Sequence, residues 1–233
     1  IDLELARELK LAMQACEKDR SLRVVTIQGR GKFFCSGGDL AAIIGAGADA
    51  PAYVAELLGH LHEALAAIAR IPVPVVAGIH GAAAGAGLSL ACACDLAIAT
   101  RSARFVMAYS RVGLTPDGSA SFYLPRLVGL RRALQLAFTN RELLAAEALE
   151  WGILNAVVDD DRLDGALAAL AAQLAKGPTG ALGAAKRLMR DSFANTLEDQ
   201  LTAEMRAICA ALDTGDAKEG LSAFLAKRTP DFG

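Results

Sequence analysis

The sequence predicts an α/β chain wound as a ββα spiral rather than a doubly wound open sheet. From Val75 to Asp95 it reads V-V-A-G-I-H-G-A-A-A-G-A-G-L-S-L-A-C-A-C-D. That is an apolar run suited to a buried strand, then glycines and alanines, then a helix. An earlier stretch has the same order: the β-branched run Val24 to Gln28 enters Gly29-Arg30-Gly31-Lys32-Phe33-Phe34-Cys35-Ser36-Gly37-Gly38-Asp39-Leu40. Helix, β-rich run, glycine-rich turn and helix thus follow one another twice, without sequence identity between the copies. Beyond Pro125 the signal is overwhelmingly helical.

The elements follow from periodicity. Leu5, Leu9, Ala12, Met13 and Cys16 recur at helical spacing, which predicts an amphipathic helix ending near Lys18. Gly45 to Ala50 reads as a mobile surface loop. Pro51 starts a helix carrying Val54, Leu57, Leu58, Leu61, Leu65 and Ile68 on one face, and Ile71-Pro72 stops it. Val73 to Ala77 is the next strand, and Leu96 to Thr100 and Arg104 to Met107 are short strands around a turn. Helices are predicted at Leu134–Phe138, Leu144–Glu150, Leu163–Lys176, Thr179–Phe193, Leu197–Leu212 and Lys218–Lys227, interrupted by a β-run at Asn155–Val158. Lys176-Gly177-Pro178 is the expected joint between a core, 1–176, and a C-terminal helical region, 177–233.

Composition excludes several function classes. The 233 residues are 54% hydrophobic, with a mean hydropathy of +0.35, so a large core is available and disorder is excluded. A net charge of −2 without a basic block argues against a nucleic-acid surface. Every apolar run is interrupted by Gly, Asp or Arg before reaching membrane-spanning length. Cys16, Cys35, Cys92, Cys94 and Cys209 are odd in number and show no C-x-x-C spacing, which reads as free thiols in the cytoplasm. His60 and His62 lie two apart on a helix and face different ways, so no metal site follows from them, nor from Cys92 and Cys94.

The chemistry lies in the two glycine-rich turns. Side chains are nearly absent where strand turns into helix, which brings bare N–H groups to the positive end of a helix dipole. Such a place suits a developing negative charge. The two segments are expected to face one another and share a single substrate oxygen. Each turn alone reads more readily as a device for tight turns and close helix packing; the pair in this order reverses that reading.

Taken together, F-F-C-S-G-G-D-L at 33–40 and I-H-G-A-A-A-G-A-G-L-S-L-A-C-A-C-D at 79–95 resemble the oxyanion segments of the crotonase superfamily, the enoyl-CoA hydratase/isomerase family. Gly113 to Pro116 and Ala146 to Gly152 match downstream landmarks, so the resemblance covers essentially the whole chain. Within the family, R-F-V-M-A-Y-S-R-V-G-L-T-P-D at 104–117 and E-G-L-S-A-F-L-A-K-R-T-P-D-F at 219–232 are most similar to bacterial ring-epoxide isomerases of phenylacetyl-CoA breakdown. The resemblance implies a crotonase-like ββα spiral with a C-terminal trimerisation region, assembled as a homotrimer or a dimer of trimers. It also implies a β-hairpin before the first helix, an acyl-CoA thioester as substrate, and no cofactor.

The same resemblance assigns the oxyanion donors to the backbone N–H groups of Gly38 and Ala86. Cys35, Ser36, Gly37, Asp39, Leu40 and Gly85 flank them as candidate substrate contacts. Hydratases of the family carry glutamates at positions matching Ser89 and Tyr109, and neither residue here holds a carboxylate charge. Hydration through a paired acid and base therefore lacks its usual equipment. Some isomerases of the family place one acid at the position matching Asp117, the candidate base here. Pro116-Asp117-Gly118-Ser119 also reads as a helix start with Asp117 as N-cap. Tyr109 is expected to fill space or to orient substrate, and filling is favoured.

Asp39 reads as the cap of the next helix, Cys35 as a small buried residue, and His80 as a residue holding the turn. Arg23, Lys32 and Lys227, with Phe224 near the adenine, are candidates for the CoA entrance by analogy. Acyl-pocket residues are expected from Gly45 to Ala50 and from the helix after Asp117. The favoured activity is acyl-CoA isomerisation; the alternatives are a hydratase with altered acid/base groups and a non-catalytic acyl-CoA-binding subunit.

Overall fold

A computed structural model describes residues 1–232. Helix α1 (Leu3–Lys18) begins where the Asp2 carboxylate accepts from the Leu5 N–H at 2.8 Å. Strand β1 (Val25–Gln28) follows, and the chain then passes Cys35, which forms an isolated parallel bridge with Ala83. Helices α2 (Leu40–Gly45) and α3 (Ala50–Arg70) complete the first turn of the spiral. The second turn is β2 (Val75–Ile79), β3 (Ala82–Ala84) and α4 (Ala86–Ala93). A third consists of β4 (Leu96–Thr100), β5 (Arg104–Val106), a 3-10 turn at Tyr109–Val112, α5 (Ala120–Val128) and α6 (Leu130–Thr139). Then come β6 (Leu143–Leu144), α7 (Ala145–Glu150), β7 (Ala156–Val158) and α8 (Leu163–Ala175).

Each turn thus places one strand in a first sheet, the following segment in a second sheet, and helices outside. The first sheet has the order β1-β2-β4-β7 and is parallel throughout, with Val25 opposite Val75 and Ala77 opposite Ala97. The second has the order β3-β5-β6, with β6 antiparallel to β5. All five residues of β2 are buried, as expected for a central parallel strand covered on both faces. The architecture is the expected α/β spiral with a C-terminal helical region.

Several sequence expectations need correction. Gly45 to Ala50 is wound rather than looped: α2 runs to Gly45, a 3-10 turn spans Gly47–Asp49, and α3 begins at Ala50. The Asp39 carboxylate caps α2 by accepting from the Ala42 N–H at 3.0 Å, and Ala46 N–H continues the winding onto Ala42 O at 3.1 Å. The strand expected from Val73 starts at Val75, because Pro72 and Pro74 have no N–H for the ladder. Leu96–Thr100 and Arg104–Val106 belong to different sheets. Ala82–Ala84, read as part of a turn, is a strand.

The C-terminal helices are α9 (Thr179–Asp191), α10 (Leu197–Leu212) and α11 (Gly215–Leu225), and the expected joint falls between α8 and α9. Two cations fasten α9 to the spiral. Lys186 Nζ lies 2.7 Å from Asp95 Oδ2 and donates to Ile68 O at 2.9 Å; Arg190 Nη2 lies 2.8 Å from Asp95 Oδ1 and donates to Ala93 O at 2.9 Å. By contrast α10 buries none of its residues and exposes Leu197, Leu201, Met205, Ile208 and Leu212.

Candidate active site

The two glycine-rich segments lie side by side. Phe34 N–H donates to His80 O at 2.9 Å, Cys35 N–H to Ala82 O at 3.1 Å, and Ala84 N–H to Cys35 O at 2.9 Å. Only a glycine permits the approach at position 87, where a Cβ would stand 2.1 Å from Cys35 O. His80 lies 3.1 Å from Gly31 O through Nε2 and so holds the turn.

The same packing exposes the amides at issue. Ile1 N donates to Gly37 O at 2.5 Å, and Asp39 N–H donates to Ile1 O at 2.9 Å. The groups on either side of Gly38 are thereby turned toward Ile1, which directs the Gly38 N–H to the opposite side. Gly85 takes a positive φ of 52° to swing the chain into α4, and Ala86 opens that helix. Its N–H is among those a helix leaves without an internal acceptor. Among the described residues, neither the Gly38 nor the Ala86 N–H has a hydrogen-bond acceptor. Both residues line one cavity of about 400 Å³. A substrate oxygen seated there would meet bare amide hydrogens at a helix N-terminus.

Asp117 lines the same cavity, whose other walls are mostly apolar. Its side chain does not cap α5, which corrects the capping expectation. The N-cap is Ser119, with φ 71° and no side-chain cap bond, and Asp117 contributes only its carbonyl, accepting from the Ala120 N–H at 3.0 Å. The carboxylate instead accepts from the Tyr109 hydroxyl, Oη to Oδ1 2.6 Å. Tyr109 is therefore no mere space filler. Its hydroxyl also lies 2.9 Å from Ser89 Oγ, and Ser89 Oγ lies 3.1 Å from Asp117 O and 3.2 Å from Gly85 O. Burial, then the bond to Asp117, holds the Tyr109 phenol well above its ordinary pKa, so it remains a neutral donor. Among the described residues no cation forms an ion pair with Asp117.

Ser36, Gly37, Leu40 and Gly85 join Gly38, Ala86, Tyr109 and Asp117 around the cavity. Asp39 and Cys35 do not. Asp39 serves α2, and Cys35 lends its backbone to the second sheet. Phe224 and Lys227 lie outside the cavity, and Phe224 is 81% exposed. Arg23 is committed elsewhere: Nη2 donates to Gly177 O at 2.8 Å and to Phe232 O at 3.3 Å, tying the joint to the core. Burial pushes Cys92 and Cys94 up to about 12, too high for either to be a thiolate. Among the described residues no cluster of three or more His, Cys, Asp and Glu is placed to hold a metal.

The acyl walls differ from the expectation. Neither Gly45 to Ala50 nor the helix after Asp117 lines the cavity; Leu40 and Ile43 of α2 and Val54, Leu57, Leu58 and Leu61 of α3 do. The periodicity of α3 shows an apolar face without showing that part of that face borders a cavity rather than the core. Arg111, also missed, lines the cavity with its Nη2 donating to Asn140 O at 3.0 Å.

Comparison with known proteins places the chain in a family. Residues 1–233 match the family described as enoyl-CoA hydratase/isomerase. The chain is 38% identical over 230 residues to 1,2-epoxyphenylacetyl-CoA isomerase of Escherichia coli K12, covering 98% of this chain and 88% of that one. It is 34% identical over 225 residues to 4-chlorobenzoyl coenzyme A dehalogenase-1 of an Arthrobacter species, covering 96% and 82%. The crystal structure of an enoyl-CoA hydratase from Polaromonas sp. JS666 superposes with a TM-score of 0.93 at 36% identity, covering 98% of this chain and 89% of that one. With bare amides, a carboxylate and an apolar cavity brought together on this spiral, the chain belongs to the enoyl-CoA hydratase/isomerase family.

Proposed function

We propose that this chain is an acyl-CoA isomerase that moves a proton between carbons of a thioester through its enolate. A lone carboxylate, Asp117, in an apolar cavity that also holds the unpaired N–H groups of Gly38 and Ala86 is the observation that carries this reading. With a 3-enoyl thioester, Asp117 takes a proton from C2. The C–H electron pair spreads through C1 onto the carbonyl oxygen, which accepts from the two N–H groups. Returning the proton to C4 shifts the double bond from C3–C4 to C2–C3 and restores the carboxylate. Each donor contributes about 3 kcal/mol to the barrier reduction, because the amides are already aimed before charge develops. Hydration needs a second proton-handling carboxylate, and Ser89 and Tyr109 supply hydroxyls at the positions where the family's hydratases carry glutamates.

The CoA thioester class is supported by family membership, and an aromatic or other apolar acyl group by the leucine, isoleucine and valine walls. The exposed apolar side chains of α10 support a homo-oligomer in which residues 177–233 mediate assembly and Phe224 and Lys227 approach a neighbouring subunit's ligand. Among the described residues no helix is long and apolar enough to cross a membrane.

Incubation with crotonyl-CoA and with 3-hexenoyl-CoA, followed by absorbance of the conjugated thioester, tests the activity. The expected result is a rise in conjugation from 3-hexenoyl-CoA. Loss of conjugation from crotonyl-CoA without double-bond migration would show a hydratase, and CoA binding without turnover a binding subunit.

A further inference from the structure

We propose that Tyr109, itself held by Ser89, is the positioning residue of Asp117, fixing which carboxylate oxygen carries the substrate proton. The inference rests on the isomerase reading above and adds to it residues that touch no reacting atom.

The geometry is specific. Tyr109 Oη donates to Asp117 Oδ1 at 2.6 Å, and among the described residues Oδ2 has no partner. A carboxylate with one oxygen held by a donor and the other open presents a single basic atom at a fixed orientation. The phenol has one hydrogen, and Asp117 takes it, so the lone pairs of Oη are left to accept from Ser89 Oγ at 2.9 Å, whose own single hydrogen is shared among Oη, Gly85 O and Asp117 O. Ser89 is fully buried and Tyr109 is 8% exposed, so water does not compete for these bonds as it does at the surface. Ser89 Oγ also lies within hydrogen-bond distance of Gly85 O, one residue before the Ala86 donor, and of Asp117 O. One hydroxyl therefore touches both the turn that presents an oxyanion amide and the residue that holds the base.

The choice of a phenol is chemically apt. An ion-paired cation would hold the carboxylate as an anion so firmly that it would lose basicity, whereas a neutral donor orients it at smaller cost to proton affinity. The other ionisable side chain lining the cavity is Arg111, on the same 3-10 turn as Tyr109 and turned to Asn140 O at 3.0 Å. From the neighbouring elements, α3 presents Leu57 and Leu61 to the cavity, α2 presents Leu40 and Ile43, and α4 presents Ala86, with the uncharged Ser89 buried behind Asp117. In the proposed cycle the proton leaves substrate C2 for Oδ2 and returns from Oδ2 to C4. The phenol keeps its own proton throughout.

The test is Tyr109→Phe, which removes one oxygen, with Ser89→Ala as a second variant that leaves the phenol in place. Two readouts are used on the full chain. The carbon-13 chemical shift of the Asp117 carboxyl at neutral pH needs no turnover, and it should change when Tyr109→Phe removes the donor and change less in Ser89→Ala. With 3-hexenoyl-CoA, kcat should fall about ten-fold or more in Tyr109→Phe while KM holds. An unchanged carboxyl signal in folded Tyr109→Phe would overturn the proposal. So would a loss of kcat with no change in that signal, which is what packing damage alone produces. If the unsubstituted enzyme fails to move the double bond, the isomerase reading falls, while the carboxyl signal still decides whether Tyr109 governs Asp117.

Discussion

The two ends of helix α4 treat a nearby carboxylate in opposite ways. Beyond its C-terminal end, Asp95 is saturated: Arg190 holds Oδ1 at 2.8 Å, and Lys186 at 2.7 Å and the Val75 N–H at 2.8 Å hold Oδ2. Beside its N-terminal end, Asp117 has among the described residues a single side-chain donor, the Tyr109 hydroxyl, and lines a cavity. The backbone follows suit. Ala93 O at the C-terminal end accepts from Arg190 at 2.9 Å, while among the described residues the Ala86 N–H at the other end has no acceptor. A carboxylate surrounded by cations serves stability; Asp117, the proposed base, keeps hydrogen-bonding capacity open toward the cavity. Burial draws the Lys186 ammonium below its ordinary pKa, with Asp95 pulling the other way, so that pair works against its own desolvation.

Exchanging each acid for its amide or a smaller residue separates the roles. Asp117→Asn is expected to lower the isomerisation kcat about 10²–10⁴-fold with an unchanged melting temperature and unchanged CoA affinity, by steady-state kinetics and calorimetry. An unaltered rate would remove Asp117 from the mechanism. Asp95→Ala is expected to do the reverse, costing about 3 kcal/mol in denaturant unfolding because two half-buried cations lose their counter-ion, with the rate per folded molecule preserved. Gly87→Ala probes the seam between the oxyanion segments, where the new Cβ would stand 2.1 Å from Cys35 O. The expected outcome is both kinds of damage: a kcat lower by about ten-fold or more, and about 1–3 kcal/mol of stability. The smallest effect is alkaline. The Tyr109 phenol, raised by burial and Asp117, stays protonated in the folded state while the unfolded phenol ionises, so stability is complete below about pH 10 and declines above it. Tyr109→Phe should remove that part of the decline.

The comparison also shows why some of this could be read beforehand. Helices α1, α3 and α10 announce themselves through apolar residues at helical spacing, and β2 through an unbroken apolar run. Strand β3 does not, because Ala82-Ala83-Ala84 carries no β-branched side chain; its strand character comes from Cys35 on one side and Arg104–Val106 on the other. The winding of Gly45 to Ala50 was hidden by its glycines, although its starting cap, Asp39, was legible. In the site, Gly38, Ala86 and Asp117 were singled out by resemblance, and the structure lines one cavity with all of them. The bond between Tyr109 and Asp117 was not legible, since residues on a 3-10 turn and on the loop before α5 meet only through the fold. Nor was the second wall, because an apolar face on α3 looks the same whether it meets core or cavity.

The amides of Gly38 and Ala86 belong to the main chain, so no change of side chain at those positions short of proline deletes them. The groups at 89, 109 and 117 are side chains on separate segments, each open to exchange by a point mutation. A lineage built on this scaffold can therefore inherit both bare amides intact while the side chains around them are exchanged one codon at a time.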